Sequence, residues 1–389
     1  MLNYTALKKT IFFCINILFY PISIILKLLK IRFLYISNRF AMGHILAEPE
    51  ACLVDNNFQT KNIFLVCPTK KIFNIFPRYI ACNITAIDYW KKYFTTITSP
   101  ILYLILYPFI HSKHLKICYN DIRPFLYGPP KNIAPIFILK NNHLENGKKI
   151  LSSLGLPKDA WYVCFSCRNN DYYPEHKNLF NIRNSNVEKL LPSLQEIEKS
   201  GGWLIRIGSK KNSILPNSFN KLSNLIDYTK SSVISNWMDL FLGANCKFFI
   251  GSSSSGINHI PMIFNTPTVI VNSFPFFDQP YKPQVLNIFK LYYSHKKKRL
   301  LTVSEIIEIC RTNSSIEYCN ELVEKNELEI IDNSDEEIKA VVQEMLMLFK
   351  DDFFIDKELC PYNKKLNKIM SFNCKMGLHF LKKYNELIK

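Results

Sequence analysis

The stretch from Asp239 to Asn272, DLFLGANCKFFIGSSSSGINHIPMIFNTPTVIVN, constrains the fold more than any other, because it reads as helix, buried strand, loop, helix and buried strand in succession. Lys247 to Ile250 is too short and apolar for a helix, whereas Gly251, the serines Ser252, Ser253, Ser254 and Ser255, and Gly256 form a turn dense in hydroxyls and backbone N–H groups. Between a strand and a helix start, such a turn suits an anion. Amide donors and the positive end of the helix dipole converge there, so a phosphate or diphosphate is held without a lysine. The competing reading is an ordinary strand-to-helix connection with capping serines.

With 389 residues the chain exceeds what one core usually organises, which implies two domains of roughly 150 to 200 residues each. The 49 basic and 32 acidic side chains leave a net charge of +17. That excess calls for an anionic partner, which could be nucleic acid, an acidic membrane surface or a phosphorylated substrate. No nucleic-acid motif is present and the basic residues are scattered between apolar runs, so nucleic acid is the least favoured of the three. The 12 cysteines lie partly inside apolar runs, as Cys67, Cys164 and Cys246 do, and read as reduced core residues. Cys164 and Cys167 form a CxxC, but the alternating segment WYVCFSCR turns the two sulfurs to opposite faces of a strand.

The N-terminal run from Thr10 to Leu26 is apolar, is preceded by Lys8 and Lys9, and passes into the basic segment Lys27 to Arg32. Asn16, Pro21 and Ser23 interrupt it, and it falls short of the ~20 residues of a spanning helix. We read residues 1–30 as an apolar helix on a membrane surface, with the run Pro100 to Ile110 (PILYLILYPFI) adding to the contact. The alternative is that both helices are buried in the N-terminal domain.

Residues 31–145 carry a strand at Arg32 to Ser37, a loop through Gly43 and His44, a helix from near Ile45 and a strand at Lys61 to Cys67. This is the rhythm of a parallel α/β sheet. The segment Tyr119 to Lys148, rich in Pro, Gly, Asn and Lys, marks the junction. Residues 146–330 repeat the rhythm more clearly, with strands at Trp161 to Cys167, Trp203 to Ile207 and Leu225 to Asp227 before the opening segment. Residues 331–389 read as helices that bridge or cover the domains. The fold class is therefore α/β, with two Rossmann-like doubly wound domains and an N-terminal apolar helix.

In such domains ligands bind beyond the carboxyl ends of the strands. The residues there are Arg168, Ser209, Tyr228, Ser252 to Ser255 and Asn272. The guanidinium of Arg168 suits a diphosphate through two parallel bonds, or it pairs with Asp171 at the surface. Arg206 lies within the strand WLIRIG, facing either inward or outward. Arg183 precedes a helix capped by Ser185 or Asn186 and is not explained by capping. His44 follows Gly43, with Glu48 and Glu50 about a turn later, and His44 or Glu48 could take a proton from a sugar hydroxyl. His259 reads as a packing or capping residue. No group of His, Cys, Asp and Glu has metal-ligand spacing, so no metal and no cofactor is inferred.

The ordered segments RFAMGHILAEPE, YVCFSCRNNDYY, RNSN, GGWLIRIGS, DYTKSS and WMDLFLGANCKFFIGSSSSGINHIPMIFNTP resemble the motif series of a bacterial family assigned as glycosyltransferases, over most of residues 32–275. More distantly they are similar to fucosyltransferase-type enzymes, in which an arginine after the first strand of the C-terminal domain and a serine-rich loop hold the nucleotide diphosphate. Arg168 and Ser252 to Ser255 match those positions. The resemblance implies a GT-B architecture and a nucleotide-sugar donor bound mainly by the C-terminal domain. It implies a metal-independent, hexosyltransferase-type enzyme acting on a surface glycan or lipid-linked precursor, as in lipopolysaccharide and other polysaccharide biosynthesis. The expected location is cytoplasmic, on the inner face of the cell membrane. Ser209 stands where that family usually has an acidic residue, and Asn169 where Asp is common. These departures keep open a second expectation, a catalytically silent membrane-associated protein of the same fold that binds a glycan or lipid.

Overall fold

A computed structural model describes residues 19–36, 41–54, 62–67, 84–112, 114–117, 137–169, 181–211, 214–253, 255–276, 282, 284–312, 319–349, 362–366, 368–369 and 375–388. The chain divides into two compact units, residues 1–126 with 130–135, and residues 127–129 with 136–389.

The first unit opens with helix α1 (residues 19–28). Strand β1 (Arg32–Tyr35), helix α2 (Ala41–Val54), β2 (Ile63–Val66), α3 (Ile84–Trp90), β3 (Thr95–Ile97) and α4 (Pro100–Ile110) follow. The three strands form a parallel sheet in the order β1-β2-β3, and Lys116 adds a parallel bridge to Phe33 on the free side of β1. Helices cover the sheet because its strands are apolar on both sides. Tyr103 and Ile110 of α4 pack with Phe33, Val66 and Ile97. On α2 and α3, Ile45, Leu46, Ala51, Ile87 and Trp90 are all wholly buried, and the indole N–H of Trp90 donates to the Ile45 carbonyl at 2.6 Å. Helix α2 starts at Ala41, earlier than the sequence suggested, so Gly43 and His44 lie in its first turn and not in a loop.

The second unit is built on a larger sheet. Helix α5 (Asn141–Ser153) leads to β4 (Tyr162–Ser166), α6 (Leu191–Lys199), β5 (Trp203–Arg206), β6 (Leu225–Asp227), α7 (Asn236–Asn245), β7 (Phe249–Ser252), α8 (His259–Ile263), β8 (Thr268–Ser273) and β9 (Val285–Phe289). All neighbouring strands of this six-stranded sheet are parallel, in the order β6-β5-β4-β7-β8-β9. That is the doubly wound order, in which the path starts centrally, runs to one edge, returns and runs to the other. Alternation sends Val163, Phe165, Leu204 and Ile250 into one core layer, and Tyr162, Cys164, Ile205 and Phe249 into the other.

Beyond β9 the chain forms a feature the sequence reading missed. Strands β10 (Leu291–Ser294), β11 (Arg299–Leu300) and β12 (Leu328–Ile331) make a small antiparallel sheet in the order β11-β10-β12. It is interleaved with α9 (Val303–Thr312) and α10 (Cys319–Lys325). Helix α11 (Asp335–Leu348) begins with a capping box in which Ser334 and Glu337 bond each other's backbone. Its buried Ile338, Val341 and Val342 join the same core layer as Leu190, Leu194 and Ile197 near α6.

Candidate functional site

The six-stranded sheet reverses its winding between β4 and β7, and a doubly wound sheet leaves a crevice beyond the carboxyl ends of its strands at that point. The register pairs Ser166 with Gly251, so the chain leaving β4 and the serine bend leaving β7 emerge side by side. The backbone N–H of Arg168 donates to the Ser252 hydroxyl at 2.7 Å. Arg168 is half-buried. The main chain of Arg168 and the serine bend are thus joined at one place, at the switch point.

The bend is more internally bonded than a loop waiting for an anion. Ser252 and Ser253 are each 1% exposed. Ser253 sits at φ +49°; its N–H donates to Val271 O at 2.8 Å, and its hydroxyl donates to Phe274 O at 3.1 Å. The Ser255 N–H closes onto Ser253 O, which also accepts from the Asn258 side chain at 2.8 Å. Gly251 is required because Asn258 packs where a Cβ would sit. The surfaces left to a ligand are half-buried Ser255 and exposed Gly256, while Ser254 lies outside the described residues. The helix that follows is shorter than expected: one 3-10 turn, Gly256–Asn258, then the five residues of α8. A helix that short adds little dipole.

A second segment is fastened beside β4. The Ser185 N–H donates to Arg168 O at 3.0 Å, and the Cys167 thiol donates to Ser185 O at 3.3 Å. Lys290, 2% exposed, directs its ammonium to the carbonyls of Ile182 at 2.7 Å and Asn184 at 2.6 Å and to Asp332 at 2.7 Å. Burial lowers its pKa, and Asp332 opposes that shift. This latch holds the 3-10 turn Asn181–Arg183 against the sheet with Arg183 7% exposed. Cys167 is buried enough that its thiol is pushed up to about 12, against the opposing pull of Ser252 and Arg206. It is therefore no nucleophile near neutral pH. Cys164 lies in the other core layer, so the CxxC sulfurs face opposite ways, as strand alternation requires.

Several predicted residues serve the scaffold. Arg206 faces inward and pairs with Asp227 at 3.1 Å, whose other oxygen accepts from the Thr229 N–H and hydroxyl. Tyr228 is wholly buried; its hydroxyl accepts from the Ser235 N–H at 2.8 Å, and burial raises its pKa. Asn272, at φ +53°, exchanges two 2.6 Å bonds with Asn333. Ser209 is half-buried and accepts from the Lys211 N–H at 3.2 Å.

Sequence reasoning passed over the neighbours of Ser209. Lys210 and Lys211 are exposed beyond β5, and Lys230 beyond β6, so cationic side chains ring the carboxyl edge of the sheet. The signal was a lysine pair in the Gly208-Ser209-Lys210-Lys211 turn just after a strand. Asp239 was also missed: burial pushes it up to about 7, and its bond with Tyr228 opposes the shift. In the first unit Glu48 and Glu50 are 8% and 5% exposed, and the side chain of His44 lies outside the described ones. Among the described residues no group of His, Cys, Asp and Glu could hold a metal ion.

No family model and no curated protein matches this chain. Among solved structures it is similar to a glycosyl transferase family 9 protein from Veillonella parvula, with 11% identity, 76% of this chain and 96% of that chain covered, and a TM-score of 0.42. It is similar to the ADP-heptose LPS heptosyltransferase II of E. coli, with 12% identity, 76% and 100% covered, and a TM-score of 0.41. A third is TibC, an iron-containing dodecameric glycosyltransferase from enterotoxigenic E. coli, with 11% identity, 66% and 61% covered, and a TM-score of 0.38. These values assign no role to any residue, and the functional reading rests on the site's own geometry and the motif series.

Proposed function

We propose that the chain is a glycosyltransferase that moves a hexose-type sugar from a nucleotide diphosphate sugar to a surface glycan or lipid-linked precursor, such as those of lipopolysaccharide assembly. The observation that carries this reading is the 2.7 Å bond from the Arg168 backbone N–H to Ser252, which anchors the main chain of Arg168 beside the serine bend at the switch point of a doubly wound sheet. In the reaction the acceptor oxygen bonds to the anomeric carbon as that carbon's bond to the diphosphate breaks. Negative charge grows on the departing diphosphate. Arg168, with Ser255, Gly256 and the exposed Lys210 and Lys211 at the rim, is preorganised to stabilise that charge.

In this reading no cofactor beyond the nucleotide sugar takes part, and the cationic side chains do the work a metal does elsewhere. The acceptor hydroxyl gives its proton to a general base, for which the motif series offers His44 or Glu48. His44 suits this better than Glu48, since Glu48 is buried within α2's packing. The ordered motifs support the GT-B-type assignment, and the site of action is the cytoplasmic face of the cell membrane, where lipid-linked acceptors are built.

The test is thermal shift of the purified protein against UDP-, GDP-, CMP- and dTDP-linked sugars. One nucleotide class should stabilise it, by about 2.7 kcal/mol at a hundredfold excess over Kd. Arg168→Ala should lose about 2 to 3 kcal/mol of donor affinity, the size of a charge-assisted contact, and should melt as the wild type does. Equal donor affinity in that variant removes Arg168 from the site. Nucleotide binding with no turnover on any acceptor would favour the silent binding protein.

A further inference from the structure

We propose that the outward faces of α1 and α4 form a docking surface for an anionic phospholipid bilayer, with both helices lying along the interface of one leaflet. This gives the membrane-side half of the functional reading a definite surface, and its test needs no nucleotide, so the two can fail separately.

The two helices belong to the same unit and pack side by side. The Phe19 and Phe109 rings meet edge to face at 5.4 Å, and Tyr20 meets His114 just beyond α4 at 5.6 Å. Their inner faces are satisfied: Leu26 of α1 and Leu104, Leu106 and Phe109 of α4 pack onto the cluster around Phe33 and Tyr103. Their outer faces are apolar and uncovered. Leu28 is 77% exposed, Ile25 56%, Ile101 66% and Ile105 65%. Of the thirteen large apolar side chains exposed among the described residues, nine lie on α1, the turn that ends it, and α4. Singly exposed leucines need no explanation, but a concentration of this kind marks an interaction surface.

Charge selects the occupant. Residues 1–47 contain no Asp or Glu, nor do residues 89–120, while Lys27 and Lys30 stand exposed among the apolar side chains. A second copy docked face to face would bring these lysines together with no carboxylate from either segment to pair them, which costs affinity. Anionic headgroups supply the missing charge, and lysine stems reach them while their methylenes stay against the apolar zone. Helix α4 has 11 residues and reaches about 16 Å at 1.5 Å per residue, roughly half of a bilayer's ~30 Å apolar core. One side of it is already committed to the sheet. It therefore lies on the membrane instead of crossing it.

The experiment is co-sedimentation of the full-length protein with vesicles of phosphatidylethanolamine and phosphatidylglycerol, or of phosphatidylcholine alone. The protein should pellet with the first and stay free with the second. Lys27→Gln with Lys30→Gln should weaken binding about 25-fold, on the basis of ~1 kcal/mol for each basic residue near an anionic surface, and 0.5 M salt should weaken wild-type binding in the same direction. Leu28→Glu with Ile101→Glu should lower the partition at least tenfold while circular dichroism and melting stay those of the wild type. Should that double variant misfold, Leu28→Trp serves instead: its emission should be quenched by brominated phosphatidylglycerol. Equal binding to both vesicle types, or no binding to either, overturns the proposal. So does a lipid-free dimer that Leu28→Glu converts to a monomer, since the occupant would then be a second copy.

Discussion

In the six-stranded sheet of the second unit, polar side chains at several strand ends pair with one another, as Arg206 does with Asp227, or with backbone, as Asn272 and Asn333 do, and the apolar ones are packed in two core layers. In the three-stranded sheet of the first unit the apolar side chains continue outward onto the surface of α1 and α4. Both sheets are parallel and both follow the strand, helix, strand rhythm. The contrast shows that the rhythm sets the topology, while the destination of each helix's outer face is set by its composition. An α4 with no charged residue along its length has no means of making a solvated face; α11, with half-buried Asp335 and exposed Glu336 in its first turn, does.

If such buried polar pairs hold the second unit together, breaking one should cost the most. Asn333 is wholly buried, accepts the Asn272 N–H at 2.6 Å and donates to Phe289 O at 2.9 Å. Asn333→Ala leaves two buried backbone groups without partners and should cost about 3 kcal/mol. Chemical denaturation at constant m-value measures this. A loss below 1 kcal/mol would mean that water replaces the side chain and that the sheet's edge is open. Gly251→Ala comes next. The added methyl meets Asn258, the residue that ties the serine bend, and overpacking of that kind costs about 2 kcal/mol. Nucleotide affinity should fall with stability, because the bend itself shifts.

The pH dependence of the same unit tests a carboxyl whose charge burial disfavours. Asp239 is held up to about 7 by burial, against roughly 3.9 in an unfolded chain. Between those values the native state keeps a proton that the unfolded state has lost, so stability is full below pH 4 and declines as pH rises to 7, then levels. Asp239→Asn should remove that decline. Relative to the variant, the wild type should lose stability steadily from pH 4 to 7, read from melting curves at matched ionic strength.

The segments legible in the sequence were those with local signals. β4, β5, β7 and β8 were visible as short apolar runs bounded by glycine or polar turns, and β7 with its serine bend gave away the switch point. The antiparallel β10-β11-β12 sheet was not legible, since its pairing joins Leu291 to Ile331 across two intervening helices and no local pattern encodes that partner. The start of α2 was missed because Ala41, Met42 and Gly43 carry no capping residue. At the site, Arg168 and the bend could be read from their places after strands. The partners of Arg206, Tyr228 and Asn272 could not, because each is fixed by a contact that only the folded chain creates: Asp227 on the next strand, the Ser235 amide and distant Asn333.

The smallest predicted effect bears most directly on the contrast between the two units. Leu28→Ser and Ile101→Ser remove large apolar side chains from positions 77% and 66% exposed. A surface change away from special features stays within about 0.5 kcal/mol, whereas the same deletion in a packed core costs about 2 to 5 kcal/mol. Melting of the lipid-free protein should therefore barely move for either variant. A loss of 2 kcal/mol or more would show that another segment of the chain covers these helices. The first unit would then seal its apolar surface as the second does, and the difference between them would vanish. A shift near zero, together with weaker vesicle binding, would place the whole energetic value of those side chains outside the folded protein, in the interface they enter.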